Sequence, residues 1–444
     1  MLRPNADPIA AIATAQGRGG VGVIRVSGSD IQPIMLGVIG APLAPRQATY
    51  TAFSDASGEP LDLGLALYFP APHSYTGEEV LELQGHGGPA IMQLVLQRCL
   101  ALGARLAAPG EFTLRAYLNN KIDLAQAESI ADLIEANTAE GARSAMRTLR
   151  GEFSEIIHRL ASKLIDLRML VEAMLDFPEE ALGLDDLVAR DNRLQDIALQ
   201  LQSALNTAAQ GKLLREGAYV VIAGRPNVGK SSLLNRLAGE EIALVTNIPG
   251  TTRDVLRQAI QINGVPLHIL DTAGLRETGD EVERMGIARA RDTLHRADLI
   301  LFLQDASVGF TPADAQIMEN FPKSIPVIHV YNKVDLPPAS LAPVAGALYI
   351  SAASGAGLDQ LKQTILDAIG WRDQEAGVFM ARERHVQALT RARKHVANAS
   401  SVGLGAEFLA EELRLAQLAL NEITGEFTAD DLLGEIFSRF CIGK

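Results

Sequence analysis

Cysteine is scarce in this chain: of 444 residues only Cys99 and Cys441 carry thiols, too few and too far apart to build a disulfide framework. Cys99 falls in the apolar run Ile91 to Leu102 and reads as a buried, inert thiol. Long hydrophobic runs are missing as well. No segment approaches the roughly 20 apolar residues of a membrane span, and Pro8 to Ala15 is too short for the apolar core of a signal peptide, so it reads as a strand. No membrane association and a cytoplasmic location are expected. Positive charge is not in excess either; a net charge of −13 argues against a protein that coats nucleic acid by bulk charge. His86 stands between glycines with no second His or Cys at ligand spacing, which makes it a turn residue rather than a metal ligand.

What is present is an ordinary globular composition, 48% hydrophobic and 21% charged, long enough for two or three domains with separate cores. Short apolar runs at 8–15, 21–27, 47–53, 63–69 and 80–84, bounded by Gly, Pro, Ser and Asp, predict strands, and Ile91 to Leu102 predicts a helix. Gly17-Arg-Gly-Gly20 and Gly85-His-Gly-Gly88 predict turns that bring backbone close to a strand or a ligand. The period then changes. Leu149, Phe153, Ile156, Leu160, Leu164, Leu167, Val171 and Met174 predict one long amphipathic helix ended by Phe177-Pro178, and Leu194, Ile197, Leu201 and Leu205 predict another. The same spacing returns in Leu409, Leu413, Ala416, Leu420 and Ile423, and continues through Leu433, Ile436 and Phe440. The simplest partner for that stripe is the earlier bundle, so the residues between, about 216–373, are expected to be an insertion into a helical domain. Arg382, Arg384, Arg391, Arg393 and Lys394 gather in one predicted helix and Arg284, Arg289, Arg291 and Arg296 in another; a solvated helix face or a local nucleic-acid contact accounts for either.

The insertion alternates strands and helices as a doubly wound sheet does, with strands at Tyr219 to Ala223, Leu256 to Ile262, Leu267 to Leu270, Leu299 to Leu303, Val327 to Tyr331 and Leu348 to Ile350, and a closing helix from Leu358 to Ile369. Between its first strand and the helical run Ser232 to Leu237 lies Gly224-Arg-Pro-Asn-Val-Gly-Lys-Ser231, a P-loop. Glycines let successive N–H groups turn around phosphate oxygens, Lys230 adds a point charge, and the Ser231 hydroxyl can hold Mg²⁺. Three further motifs follow in order at strand ends. Asp271-Thr-Ala-Gly274 puts a carboxylate near the metal and the Gly274 backbone near the γ-phosphate. In Asn332-Lys-Val-Asp335, Asp335 can accept from the N1–H and 2-amino group of guanine, a donor pair adenine lacks. Ser351-Ala-Ala353 lies where a backbone N–H can meet guanine O6. GTP is therefore the expected nucleotide.

The hydrolytic group is less plain. Many GTPases follow this Gly with a Gln that orients water, but here Leu275 stands there and cannot polarise it. A carboxylate must serve instead, from Glu277, Glu281 or Glu283, and no arginine finger is assignable. Thr246-Asn-Ile-Pro-Gly-Thr-Thr252 has the hydroxyls and turn residues of a switch loop, with Thr252 able to reach Mg²⁺ and backbone carbonyls left for another cation.

With these residues placed, the chain resembles the MnmE (TrmE) family of tRNA-modifying GTPases over essentially its whole length. The GTPase motifs alone fit several families; Gly17-Arg-Gly-Gly-Val-Gly22 with Arg25, Leu81-Glu-Leu-Gln-Gly-His-Gly-Gly88, Asn120-Lys-Ile-Asp-Leu-Ala-Gln-Ala-Glu128 and Cys441-Ile-Gly-Lys444 give the specificity. The resemblance implies a multidomain α/β chain: an N-terminal α+β folate-binding-like domain (1–118), a discontinuous helical bundle (119–215 and 374–444), and an inserted Ras-like P-loop GTPase domain with a doubly wound mixed sheet (216–373). It implies a homodimer through the N-terminal domain, which binds a 5-formyl-tetrahydrofolate-type donor at positions matching Arg25, Glu82, Lys121 and Lys444. Together with the FAD-carrying flavoprotein MnmG (GidA), such a protein adds an aminomethyl-type (carboxymethylaminomethyl) group to C5 of the wobble uridine of certain tRNAs. GTP would be contacted by Asn227, Val228, Gly229, Lys230, Ser231 and Ser232, by Thr246, Asn247, Ile248, Pro249, Gly250, Thr251 and Thr252, by Asp271, Thr272, Ala273 and Gly274, by Asn332, Lys333 and Asp335, and by Ser351, Ala352 and Ala353. K⁺-dependent hydrolysis, with GTPase domains dimerising across the nucleotide, is implied too, with K⁺ ligands at Asn227, Thr246, Ile248 and Thr251, Mg²⁺ ligands at Ser231 and Thr252, and Glu283 as the catalytic acid. Asn247 and Pro249 depart from the family's Asp and Ala, and Ala353 from a common Lys; carbonyl ligands are the less sensitive to such changes. Cys441 is either a nucleophile near the folate or a dimer or cleft packing residue. Two rival readings are a regulatory GTPase acting in ribosome assembly, which predicts a basic RNA-binding appendage, and a scaffold with a degenerate nucleotide site, against which Lys230, Ser231, Thr252 and Asp271 speak.

Overall fold

The computed structural model describes residues 7–15, 17–176, 184–240, 257–271, 294–337, 344–372, 377–400, 405–426, 430–438, 440–441 and 443. Two compact units emerge: residues 1–131, 154–165 and 414–444 form the first, residues 132–153 and 166–413 the second.

In the first unit the predicted strands appear as β1 (Ile9–Ile12), β2 (Gly19–Gly28), β3 (Thr49–Ser54), β4 (Pro60–Phe69) and β5 (Glu79–Gly87), with a two-residue β6 (Arg105–Leu106). They form one sheet in the order β3-β4-β5-β2-β1-β6, antiparallel except for the β1–β6 pair. Helices α1 (Gln32–Ile39) and α2 (Pro89–Ala101) cover one face. There Ile24, Val26, Leu81 and Leu83 meet Met35, Val38, Val95 and Cys99, all fully buried. Burial pushes the Cys99 thiol up to about 12, so it is inert as expected. The period-two alternation then fixes what faces the other way: Arg25 stands in register with Glu82 on β5 and Ala11 on β1.

Helix α1 was not predicted. It is only eight residues long, opened by Pro33 and closed by Gly40 at φ 84°. The Gly85-His-Gly-Gly88 segment corrects an expectation, because Gly85, His86 and Gly87 continue β5 rather than turn. Close backbone approach is what the glycines serve: a Cβ on Gly87 would lie 2.6 Å from the Gly19 carbonyl oxygen. His86 is consequently an exposed strand residue whose Nδ1 sits 2.7 Å from Asp62 Oδ1. Two further helices, α3 (Glu111–Leu118) and the start of α4 (Leu124–Glu135), pack on the late helix α13 (Asp430–Ser438) through Leu124, Ala127, Leu433, Ile436, Phe437 and Phe440.

The long predicted helix is divided. Leu149 closes α5 (Ala139–Leu149), and Gly151 at φ 91° separates it from α6 (Glu152–Asp176). The following helix α7 (Leu184–Glu216) runs directly into the second sheet, burying Leu194, Ile197, Leu201, Ala204 and Ala208, with Leu205 only half-buried. Helix α11 (Glu383–Ala399) packs along α7; Lys212 Nζ lies 2.5 Å from a Glu383 carboxylate oxygen and Arg393 Nη1 donates to Gln202 Oε1 at 2.6 Å. Arg382 pairs with Asp132 at 2.8 Å, so part of the basic cluster on this helix holds structure. Helix α12 (Ala406–Thr424) buries Leu409, Leu413, Ala416, Leu420 and Ile423.

The second sheet contains β7 (Ala218–Ala223), β8 (Arg257–Ile262), β9 (Val265–Asp271), β10 (Leu299–Asp305), β11 (Val327–Asn332) and β12 (Leu348–Tyr349) in the order β12-β11-β10-β7-β9-β8, parallel except for antiparallel β8. Leu299 to Leu303 of β10 read as an unbroken apolar run because both faces are covered. Leu301 and Leu303 meet α8 (Lys230–Glu240) and α10 (Leu358–Ala368) through Leu233, Leu237, Leu361 and Ile365, while Ile300 and Phe302 meet Ile317 and Met318 of α9 (Pro312–Met318) and its follower Phe321. Among the described residues, no helix is long and apolar enough to cross a membrane.

Candidate active site

Strands β7, β9, β10 and β11 end at Ala223, Asp271, Asp305 and Asn332, so the expected motifs meet at one edge of the sheet, where open parallel sheets place their ligand crevice. The loop Gly224 to Ser231 leaves β7 there and enters α8 at Lys230. Its turn needs left-handed backbone at Gly224 (φ 144°), Asn227 (φ 61°) and Gly229 (φ 100°). A Cβ on Gly229 would lie 2.2 Å from Asn332 Nδ2, and one on Gly224 2.3 Å from the Leu303 carbonyl oxygen. Val228 is buried in the core, whereas Asn227, Ser231 and Ser232 are exposed. Lys230 Nζ donates to the carbonyls of Gly224 at 2.7 Å and Arg225 at 2.8 Å, holding its ammonium across the mouth of the loop.

Asn332 is buried and acts as a staple rather than a surface contact. Its Nδ2 donates to Val228 O and its Oδ1 accepts from Ala352 N, each at 2.9 Å, which ties the phosphate loop to the Ser351–Ala353 loop. Lys333, at φ 71°, donates from Nζ to Asp305 Oδ2 at 2.7 Å. Burial would raise the Asp305 carboxyl, but Lys333 and Ser307 outweigh it and hold it below its ordinary value. This tie is therefore present above the usual carboxylate range and lost as acid protonates Asp305. Asp335 and Ala353 are exposed beside these ties, Ser351 is buried, and its Oγ accepts from Ser354 N at 3.0 Å.

Asp271 pairs with Ile222 at the end of β9, one residue before the end of the phosphate-loop strand. Thr246, Asn247, Ile248, Pro249, Gly250, Thr251 and Thr252, Thr272, Ala273 and Gly274, the carboxylates Glu277, Glu281 and Glu283, and Lys444 all lie outside the described residues. Sequence reading missed Asp305 and the pairing of Arg225 Nε with Asp314 Oδ1 at 2.9 Å. The available signal was Thr311-Pro-Ala-Asp314, a capping box with proline at the first helical position.

The first unit holds a second polar cluster. Arg25 places both Nε (3.0 Å) and Nη2 (2.8 Å) on Glu82 Oε1. Its guanidinium lies 5.3 Å from the Tyr75 ring centroid and 5.8 Å from that of Phe112, within cation–π range. Burial raises the Tyr75 phenol despite its bond to Thr113 and the nearby Arg25 charge. Lys121 stands apart from the pair in its contacts: Nζ donates to Pro72 O at 2.9 Å, and the residue lines a cavity of about 400 Å³ with Tyr117, Asn120, Asp123, His158 and Gly425. Cys441 is exposed, and its carbonyl accepts from Gly110 N at 3.4 Å.

Residues 124–441 match the family model of the MnmE helical domain and residues 8–121 that of the GTP-binding protein TrmE N-terminus. The tRNA modification GTPase MnmE of Nitrosospira multiformis is 58% identical over 99% of this chain and 99% of that protein. Its counterpart from Nitrosomonas europaea is 56% identical with the same coverage. Among solved structures, Aquifex aeolicus Era bound to GDP·AlF4− matches at 32% identity over 40% of this chain and 66% of that one, with a TM-score of 0.28, too low for a claim of shared shape. Conserved length, both family models and the convergence of a P-loop with its base-side motifs on one sheet edge lead to one assignment: the chain belongs to the MnmE (TrmE) family of tRNA modification GTPases.

Proposed function

We propose that this GTP hydrolase is activated by K⁺ and, with the flavoprotein MnmG, adds a carboxymethylaminomethyl-type group to C5 of the wobble uridine of certain tRNAs in the cytoplasm, using a reduced folate as one-carbon donor. Residues 1–118 are assigned to dimerisation and folate binding, 119–215 and 374–444 to the helical domain, and 216–373 to the GTPase domain. Ser231, exposed in the first turn of α8, offers a hard hydroxyl oxygen that suits Mg²⁺, with Thr252 as the second ligand from this chain. Bound Mg²⁺ would neutralise charge on the β- and γ-phosphates. Asn227, held in left-handed backbone on the exposed side of the loop, suits a role as one K⁺ ligand, joined by Thr246, Ile248 and Thr251. Asp335 and the Ser351–Ala353 loop receive guanine, while Asn332 and Lys333 keep those loops in place.

The observation that supports the folate half is the Arg25–Glu82 pair. Only Oε1 of Glu82 meets Arg25, and the ion pair sits beside Tyr75 and Phe112 on the sheet face away from α1 and α2. A carboxylate next to a guanidinium, walled by aromatic rings, suits a flat heterocycle with adjacent N–H donors and a carbonyl. Lys121, whose Nζ donates to Pro72 O in this structure, and Lys444 complete the proposed folate site, with Cys441 either a nucleophile near it or a packing residue. Calorimetry with 5-formyl-tetrahydrofolate is expected to show binding that weakens about ten- to a hundredfold in Glu82→Gln, the cost of a hydrogen bond to a charged group. No heat with the unmodified protein would remove the folate assignment.

A further inference from the structure

We propose that Asp314, outside every nucleotide motif, is a positioning residue for the phosphate-binding loop and acts through Arg225. The loop is held at its exit by Asn332, whose amide grips Val228 O. At its entry the grip comes from elsewhere. Arg225 directs Nε onto Asp314 Oδ1 at 2.9 Å; the carboxylate is fully buried and the arginine a quarter exposed. Asp314 Oδ2 accepts from Thr311 N at 2.9 Å and Thr311 Oγ1 at 2.7 Å, so both carboxylate oxygens are engaged. The helix carrying it is fixed on β10 by Ile317, Met318 and Phe321, the last meeting Phe302 edge-on at 5.5 Å. A buried carboxylate on a packed helix is a rigid anchor, and a charge-assisted bond to it restrains the loop residue far more than a surface pair does.

What Arg225 anchors is the phosphate site itself. Its own carbonyl, with that of Gly224, receives Lys230 Nζ, so a shift of the Arg225 backbone displaces the charge that faces the phosphates. The pairing also decides against a different role. An arginine so close to the phosphates in sequence is the obvious cis candidate for stabilising charge on the reacting phosphoryl group, yet its guanidinium is directed to Asp314 on α9.

The full chain tests this with fluorescent GDP for affinity and saturating GTP for kcat. Asp314→Asn and Arg225→Ala are each expected to weaken nucleotide binding about tenfold and leave kcat within about twofold, the signature of lost uniform binding. The double variant is expected to bind no more weakly than either single variant, since one interaction is removed in all three. Thr311→Val, which loses the Oγ1 bond to Asp314 and the N-cap bond from Asp314 N but keeps the Arg225 pair, is expected to lose less affinity than Arg225→Ala does. Unchanged or tighter binding in Arg225→Ala overturns the proposal, and that variant stays informative if the buried Asp314→Asn fails to fold. Additive losses in the double variant, or a Thr311→Val that reproduces the loss, also overturn it. So does a kcat loss of about a thousandfold in Arg225→Ala at unchanged affinity, which would make Arg225 the charge donor to the reacting phosphate.

Discussion

GTP turnover by this protein is expected to be on the order of a hundredfold faster in KCl than in NaCl at equal ionic strength, the scale of removing one preorganised charge-stabilising contact. The reason lies in which positive charges remain for the reacting phosphate. Lys230 is the charge the loop itself supplies, while Arg225 is paired with Asp314 and so is not a second one. Leu275 replaces the glutamine that often orients water, so neither of the usual aids is supplied by the motifs. In the proposed reading a monovalent cation held by Asn227 and by oxygens of the Thr246 to Thr251 segment would fill that gap, and carbonyl ligands would discriminate K⁺ from smaller Na⁺ by size and coordination number. Steady-state turnover with matched chloride salts is the check; equal rates remove the K⁺ assignment without touching the GTPase assignment.

Glu283→Ala is expected to lower kcat by about two to four orders of magnitude, the range a general base contributes, with GTP affinity kept within about twofold. An aliphatic Leu275 cannot accept a proton or orient water, so the proposed mechanism gives that role to a carboxylate after Asp271-Thr-Ala-Gly274, with Glu283 the expected one. Single-turnover hydrolysis beside equilibrium nucleotide binding separates the two quantities. Hydrolysis that survives the substitution moves the role to Glu277 or Glu281. A parallel loss of binding would place Glu283 in the ground-state contacts instead.

Much of this was legible in the residues, for physical reasons that differ by region. The second sheet could be read strand by strand because parallel strands covered on both faces are continuous apolar runs, as Leu299 to Leu303 is. The first sheet was legible because one face is polar, which made alternation visible around Arg25 and Glu82. Short helices escaped: α1 and α9 are too brief for a helical period to accumulate, and only boundary residues mark them, Pro33 and Gly40 for α1 and the Thr311–Asp314 capping box with Pro312 for α9. The Leu149 to Met174 stripe misled because Gly151 breaks the helix without breaking the hydrophobic spacing.

At the nucleotide site, the motifs themselves were recognisable in the sequence, but the contacts that hold them together were not. Asn332 illustrates the difference. Its motif predicts a base-side role, whereas its side chain is buried between two loops and bonded to both. Asp314 is more remote still, separated from Arg225 by 89 positions and joined to it only by the winding of the sheet.

The central claim is that GTP hydrolysis by this chain serves modification of tRNA. Mass spectrometry of nucleosides from total tRNA, in cells with and without the protein, tests it most directly. Wobble uridines carrying the C5 carboxymethylaminomethyl-type group are expected to disappear without the protein and to return with it, but not with a Lys230→Ala variant. An unchanged wobble-uridine profile in cells lacking the protein would contradict it, and would favour a GTPase that acts on ribosome assembly.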